Sequence, residues 1–142
     1  MRQQPLTSMV AAMLAACTGY APQYLPVGAS AAEVQTQLGQ PTGRYELPQG
    51  GARLEFARGP YGKHTYMVDL DSAGNVIGWQ QVLNENNFNT VVNGMSRDEV
   101  LFKLGRPSER RGGGRQGGEV WSYRYDAVFC QWFAISMIDG KV

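Results

Sequence analysis

The chain has 142 residues, with 13 Lys and Arg, 12 Asp and Glu and one His, for a formal net charge of +1. So balanced a charge offers no electrostatic basis for binding nucleic acid or acidic lipid. The length suits one or two small modules sharing a core.

Arg2 precedes an uncharged stretch from Leu6 to Ala16, which has the length of a signal-peptide hydrophobic region and is too short to span a bilayer. It ends in Leu14-Ala-Ala-Cys17. That tetrapeptide resembles the lipobox of bacterial lipoproteins, in which small residues fit the signal peptidase and the cysteine thiol receives a diacylglyceryl group before cleavage in front of it. The resemblance implies a lipoprotein signal peptide over residues 1–16 and lipidation, with acyl groups such as palmitate, at Cys17. Thr18 follows, and the absence of Asp there implies sorting to the outer membrane. An ordinary secretory signal with an incidental cysteine is the alternative. Removing residues 1–16 would leave 126 residues carrying 12 basic and 12 acidic side chains. With Cys17 acylated, Cys130 would have no intramolecular partner and is expected as a buried or half-buried thiol in a strand.

Residues 17–27, with Gly19, Pro22, Pro26 and two tyrosines, read as an extended tether. Next comes a segment that the chain says twice. Gly28-Ala-Ser-Ala-Ala-Glu-Val-Gln-Thr-Gln-Leu-Gly-Gln-Pro-Thr42 matches Gly94-Met-Ser-Arg-Asp-Glu-Val-Leu-Phe-Lys-Leu-Gly-Arg-Pro-Ser108 at Gly28/Gly94, Ser30/Ser96, Glu33/Glu99, Val34/Val100, Leu38/Leu104, Gly39/Gly105 and Pro41/Pro107, with a hydroxyl at both Thr42 and Ser108. Each copy spells a short helix. Ser30 and Ser96 are N-caps, Glu33 and Glu99 complete capping boxes, and Met95 with Val100 adds a hydrophobic staple to the second. Gly39 and Gly105 end the helices in a left-handed conformation, and Pro41 and Pro107 prevent continuation. Val34 with Leu38, and Val100 with Leu104, share one face at i, i+4. So little apolar surface requires each helix to pack on a neighbour.

After the first helix, Arg53–Arg58 and His64–Asp71 alternate polar and apolar residues, and Val76–Leu83 is β-rich. Gly59-Pro-Tyr-Gly62 and Ser72-Ala-Gly-Asn75 are the turns between them. Module one, residues 28–83, is thus a helix and a three-stranded antiparallel meander. Module two, residues 84–142, opens with an extra helical turn or two around Phe88, Val91 and Val92, then the capped helix, then strands at Val120–Asp126 and Val128–Ile138. Asp139-Gly-Lys-Val142 echoes Asp71-Ser-Ala-Gly-Asn-Val76, and the module stops one strand short of the first. The expected fold class is α+β, a tandem repeat of a helix plus an antiparallel three-stranded sheet. In the last strand, Phe129, Phe133, Ile135 and Met137 share one parity and form the expected core side. The other parity, Cys130, Trp132, Ala134 and Ser136, is joined by Ser122 and Arg124 of the neighbouring strand. This face is too small and polar for a core. Trp132 beside Arg124 and Ser122 therefore reads as a partner-binding surface, the alternative being that Trp132 packs under a loop or against module one.

Phe88-x-x-Val91-x-x-Gly94-Met95-Ser96-x-x-Glu99-Val100, then Leu104-Gly105-x-Pro107, Trp121-x-Tyr123 and the closing Asp139-Gly140-Lys141-Val142, resembles the SmpA/OmlA family, also called BamE-like. The resemblance is weaker over Gly28–Leu83. It implies a small outer-membrane lipoprotein facing the periplasm, with helices packed on a three-stranded sheet. Two tandem units are also similar to the fold of the secreted β-lactamase inhibitor protein, whereas BamE is similar to one unit. The implied partner is another envelope protein such as the β-barrel assembly machinery, and the implied membrane contact is the N-terminal lipid.

No feature calls for catalysis, a cofactor or a metal. His64 lies in an alternating strand with no nucleophile beside it and reads as a surface or half-buried structural residue. Asp69-Leu-Asp-Ser-Ala-Gly-Asn75 begins like a calcium loop, yet Ala73 stands where an oxygen ligand belongs and Gln80 where the bidentate glutamate belongs, so a hairpin turn is expected. Pro107–Gly118, with Arg106, Arg110, Arg111 and Arg115 among glycines, lacks the interleaved aromatics that stack bases and reads as a mobile loop. The expectation is a non-enzymatic, lipid-anchored protein binder, accessory to outer-membrane protein assembly. An inhibitor of a secreted hydrolase is the alternative.

Overall fold

The computed structural model describes residues 18–129 and 131–142; the signal-peptide and lipidation readings at residues 1–17, and the reading of Cys130, lie outside the described residues. The described chain is α+β. Helix α1 (Ala31–Leu38) leads into an antiparallel sheet of β1 (Gly43–Glu46), β2 (Ala52–Ala57), β3 (Thr65–Leu70) and β4 (Val76–Gln81), in sequence order. Then α2 (Glu85–Phe88) and α3 (Arg97–Leu104) precede a second antiparallel sheet of β5 (Glu109–Gly112), β6 (Glu119–Arg124) and β7 (Trp132–Met137). Among the described residues, no helix is long and apolar enough to cross a membrane.

Both expected helices carry the caps written in their sequences. Ser30 Oγ accepts from Glu33 N at 3.2 Å while Ser30 N donates to Glu33 Oε2 at 2.6 Å. Ser96 and Glu99 do the same at 3.2 and 2.7 Å. The serine backbone N–H first, and the serine hydroxyl second, hold both carboxyls below the ordinary 4.5. A carboxyl whose folded value is depressed stabilises the fold fully above its unfolded value, and that contribution is lost as the pH falls through the lower folded one. At the other end, Gly39 has φ 84°, ψ −161° and Gly105 φ 75°, ψ −168°. This is the positive-φ extended region, not the left-handed helical one expected, and it is essentially closed to residues with a Cβ. The chain leaves each helix straight toward a strand rather than curling through another turn.

Two strands escape the sequence pattern. Gly43–Glu46 and Glu109–Gly112 are four-residue, polar edge strands with no hydrophobic alternation to betray them. The first sheet therefore has four strands instead of three, and the second has three instead of two. The Arg/Gly stretch expected as a mobile loop is strand β5 in its first half, with Arg110 opposite Trp121 in the register.

One face of β2 to β4 meets α1. Val34 and Leu38 join Leu54, Phe56, Tyr66, Val68, Leu70 and Val76 in a single core, to which Leu25 and Ala29 also belong. Residues 18–27 have no helix or strand, as a tether would not, but they lie against the domain instead of standing off it. The polar parity of β2 and β3 is buried as well: Glu55 and Thr65 are each 1% exposed and Met67 is fully covered. The reason is α3, whose Val100 and Leu104 share a second core with Met67, Val82, Leu83 and Phe88 on one side and Trp121, Tyr123, Ile135 and Met137 of the second sheet on the other. The layers run α1, first sheet, α2 with α3, second sheet.

Polar contacts fix α3 on the first sheet. Glu55 accepts from Thr42 Oγ1 at 2.8 Å, Tyr45 OH at 2.5 Å and the Arg106 backbone N–H at 3.2 Å, just past the helix end. Burial, then the bond to Glu55, pushes the Tyr45 phenol well above its usual range. Arg53 grips Asp69 through two bonds of 2.7 and 2.9 Å, donates to the Phe102 carbonyl at 3.1 Å and lies 4.4 Å from the Phe102 ring centre.

Several backbone bonds recur 66 positions apart. Gly28 N donates to Val76 O, and Gly94 N to Val142 O; Val76 N to Ala29 O, and Val142 N to Met95 O; Ala31 N to Gly74 O, and Arg97 N to Gly140 O. The paired hydroxyls also share a task. Thr42 Oγ1 accepts from Ala57 N at 2.9 Å and Ser108 Oγ from Arg124 N at 3.0 Å, each closing the strand that follows its helix.

Two predictions follow from α3. Ser96→Ala should cost about 1 kcal/mol. Gly105→Val should cost clearly more, because it forces a β-branched residue into a glycine-only conformation and sets a Cβ 2.9 Å from Glu55 Oε2. Equal thermal midpoints for the two variants would contradict the role of Gly105. Glu55→Leu strands the Tyr45 hydroxyl and the Arg106 amide, while Thr42 Oγ1 keeps its bond to the residue 55 carbonyl, at about 1–3 kcal/mol for each group left unpaired. A urea midpoint matching the parent's would show that the carboxylate does not fasten the layers.

Candidate interaction surface

The far side of the second sheet is built by three cross-strand rows, Arg124 opposite Trp132, Ser122 opposite Ala134 and Val120 opposite Ser136. Trp132 is 44% exposed. Ala134 and Ser136 are exposed, and Val120, Ser122 and Arg124 are half-buried. The other parity turns inward: Trp121 and Tyr123 are fully buried, Ile135 and Met137 nearly so, and Phe133 stacks on Phe88 with centroids 4.2 Å apart. Burial raises the Tyr123 phenol above its usual range, and its OH donates to Gly105 O at 3.0 Å. Strand parity thus places Trp132, Arg124 and Ser122 together, in adjacent rows.

Phe129 breaks the expected pattern. Tyr125 N donates to Gln131 O at 2.9 Å, which closes the hairpin there and leaves residues 126–129 in its loop. Phe129 is consequently 98% exposed at a loop tip, not part of the core, and β7 begins only at Trp132.

Arg124 is held in place rather than swinging in solvent. Its backbone N–H donates to Ser108 Oγ, its Nη1 donates to Tyr61 O at 3.3 Å, and its Nε is buried with no hydrogen-bond partner among the described residues. A fixed guanidinium next to a half-open indole loses little side-chain freedom on contact with a partner, which is the composition of an interface anchor. At the far end of this face, Val120 and Ser136 border a hollow with the 113–117 turn.

The remaining candidate residues have structural partners. His64 Nδ1 pairs with Tyr20 OH at 2.8 Å, and the imidazole stacks on Tyr66. Asp71 Oδ1 accepts from Ala73 N at 3.0 Å and Asn75 N at 2.9 Å, making the turn between β3 and β4. Among the described residues, no group of three or more His, Cys, Asp or Glu is placed to hold a metal. Arg110 lies over the Trp121 ring at 4.5 Å and Arg97 at 5.2 Å. Glu119 accepts from the Trp121 indole at 2.7 Å and from Arg97 at 3.1 Å, and the indole bond first, then Arg97, lowers its carboxyl. The groove between the first sheet and the middle helices is lined by Arg53, Gln80, Asn87, Thr90, Met95, Asp98, Glu99, Phe102 and Lys103. Arg53 and Glu55 were not legible as contact residues, because nothing in an alternating strand says that its polar side will be covered.

Trp132→Ala should leave the melting temperature within a few degrees of the parent, while Trp121→Ala, at a fully buried site, should cost about 3–5 kcal/mol. Parallel thermal melts decide this, and equal losses would put Trp132 in the core.

In comparisons with family models, curated proteins and solved structures, nothing matches this chain.

Proposed function

We propose that the protein is a lipid-anchored, non-enzymatic protein-binding module of the outer membrane, facing the periplasm and accessory to envelope or outer-membrane protein assembly in the manner of the BamE-like lipoproteins. The observation that carries the reading is the open face of the second sheet, where Trp132 and Arg124 stand in one row over a floor of Ser122, Ala134 and Ser136. A flat face with an aromatic and a held arginine suits another protein better than a small substrate, which needs a concave site. We also read residues 28–83 and 84–142 as tandem copies of one helix-plus-sheet module. The capping boxes at Ser30 and Ser96 and the bonds recurring 66 positions apart support that reading. The anchor reading rests on Leu14-Ala-Ala-Cys17.

Cys17→Ser should release the protein from the membrane fraction and abolish acyl labelling, because each acyl CH₂ buried in lipid contributes about 0.8 kcal/mol that the neutral domain does not replace. Retention in the membrane without acyl label would overturn the anchor. Affinity capture from detergent-solubilised envelopes should recover barrel-assembly subunits, and Trp132→Ala should weaken that recovery. A secreted hydrolase recovered instead would favour an inhibitor.

A further inference from the structure

We infer that the end of the molecule formed by the β2–β3 and β6–β7 hairpin loops is a bilayer-contacting surface, with Tyr61, Val128 and Phe129 entering the headgroup region. The inference rests on the anchor reading at Cys17 and adds to it the way the domain sits on the membrane. Its starting point is the fastening of the first described residues. Gly19 N donates to the Gln37 carbonyl. Arg58, just past β2, donates to Tyr20 O at 2.8 Å and to Gly19 O at 3.1 Å. Tyr20 OH meets His64, just before β3, and its ring lies edge-on to His64 and Tyr66. The segment is therefore locked to the β2–β3 hairpin rather than hanging from the domain as a spacer.

A residue of extended chain spans at most about 3.6 Å, so an anchor on residue 17 has roughly 7 Å of chain before Gly19. That is comparable with the depth of the interfacial layer, about 5–7 Å on each side of the hydrocarbon. A lipidated Cys17 thus holds this end of the domain at the headgroups. The second hairpin is at the same end: Lys63 Nζ is 3.7 Å from Asp126 Oδ1, and Arg124 Nη1 reaches Tyr61 O at 3.3 Å.

The tips of these two loops carry the most exposed large apolar residues of the described chain. Phe129 is 98% exposed, Tyr61 88% and Val128 87%. None of them contributes to either core, and two apolar side chains in succession at a hairpin tip are a liability in water. At a bilayer surface they have a use. A tyrosine places an apolar ring and a polar hydroxyl at the two sides of the interface, and Phe and Val bury among the upper acyl carbons. Lys63 and Arg124, beside Asp126, place cations at this rim where lipid phosphates would lie. Because Trp132 directly follows this loop, such contact orients the open face of the second sheet edge-on to the membrane.

The test places the photo-crosslinker p-benzoylphenylalanine in the full chain in place of Phe129, or in place of Gln49 in the β1–β2 turn at the opposite end, and irradiates intact envelopes. Acyl label on Cys17 is read in the same samples. The expected result is a phospholipid adduct at position 129, several-fold above that at position 49. An acylated protein whose position 129 captures only protein, or no more lipid than position 49, overturns the inference and leaves the anchor standing. Lipid adducts at 129 without acyl label uphold the bilayer contact while the anchor reading fails. Loss of both overturns both.

Discussion

The fold depends on one short helix, α3, shared between the two sheets. Eight residues of α3 cannot hold a helix in water, and its apolar side, Val100 and Leu104, reaches the second sheet as α1 reaches the first. What joins the halves is its other side. There the first sheet presents Glu55 to the amide of Arg106 beyond the helix end, and Arg53 to the carbonyl of Phe102 in its last turn. A carboxylate at one point and a guanidinium at the other set both the position and the direction of the helix, which apolar packing alone leaves loose. Among the described residues, no salt bridge to Glu55 forms. Three donors satisfy it instead, which is how a charge becomes tolerable at 1% exposure.

Much of this was written locally. The capping boxes, the terminating glycines and the i, i+4 pairs are short-range signals, and both helices lie where those signals put them. The presence of strand β3 and the parity of β7 from Phe133 to Met137 were equally legible. What escaped depends on partners far away in the chain. Strands β1 and β5 are too short and polar to have a period, and they exist because β2 and β6 offer free edges. The polar side of β2 looks solvent-facing until α3, more than forty residues later, arrives to cover it. Phe129 misled for a related reason: parity is a property of a strand, and the chain is not a strand until the hairpin closes between Tyr125 and Gln131.

The candidate surface was legible only because its parity survived. Trp132, Ser122 and Arg124 fall on one face through register alone. The detail that gives Arg124 its set position, contacts to Ser108 and to the Tyr61 carbonyl, comes from loops distant in sequence and is invisible in any local pattern. The same holds for the segment before α1. Its composition of glycine, proline and tyrosine says nothing of Arg58, yet Arg58 converts it from a free leash into part of the domain.

The two sheets also differ in what they offer on the side away from their own helix. Going along the chain by 66 positions, Gln35 and Thr36 of α1 stand where α3 has Leu101 and Phe102, so the outer side of α1 is polar and suits water. The first sheet receives a helix through Glu55 and Met67, and 67 positions on the second sheet has Ser122 and Ala134. Those side chains are too short to reach a helix end or to fill a core. What distinguishes the outer face of the second sheet is one indole beside one positioned guanidinium at its edge, the pairing that an interface anchor would use.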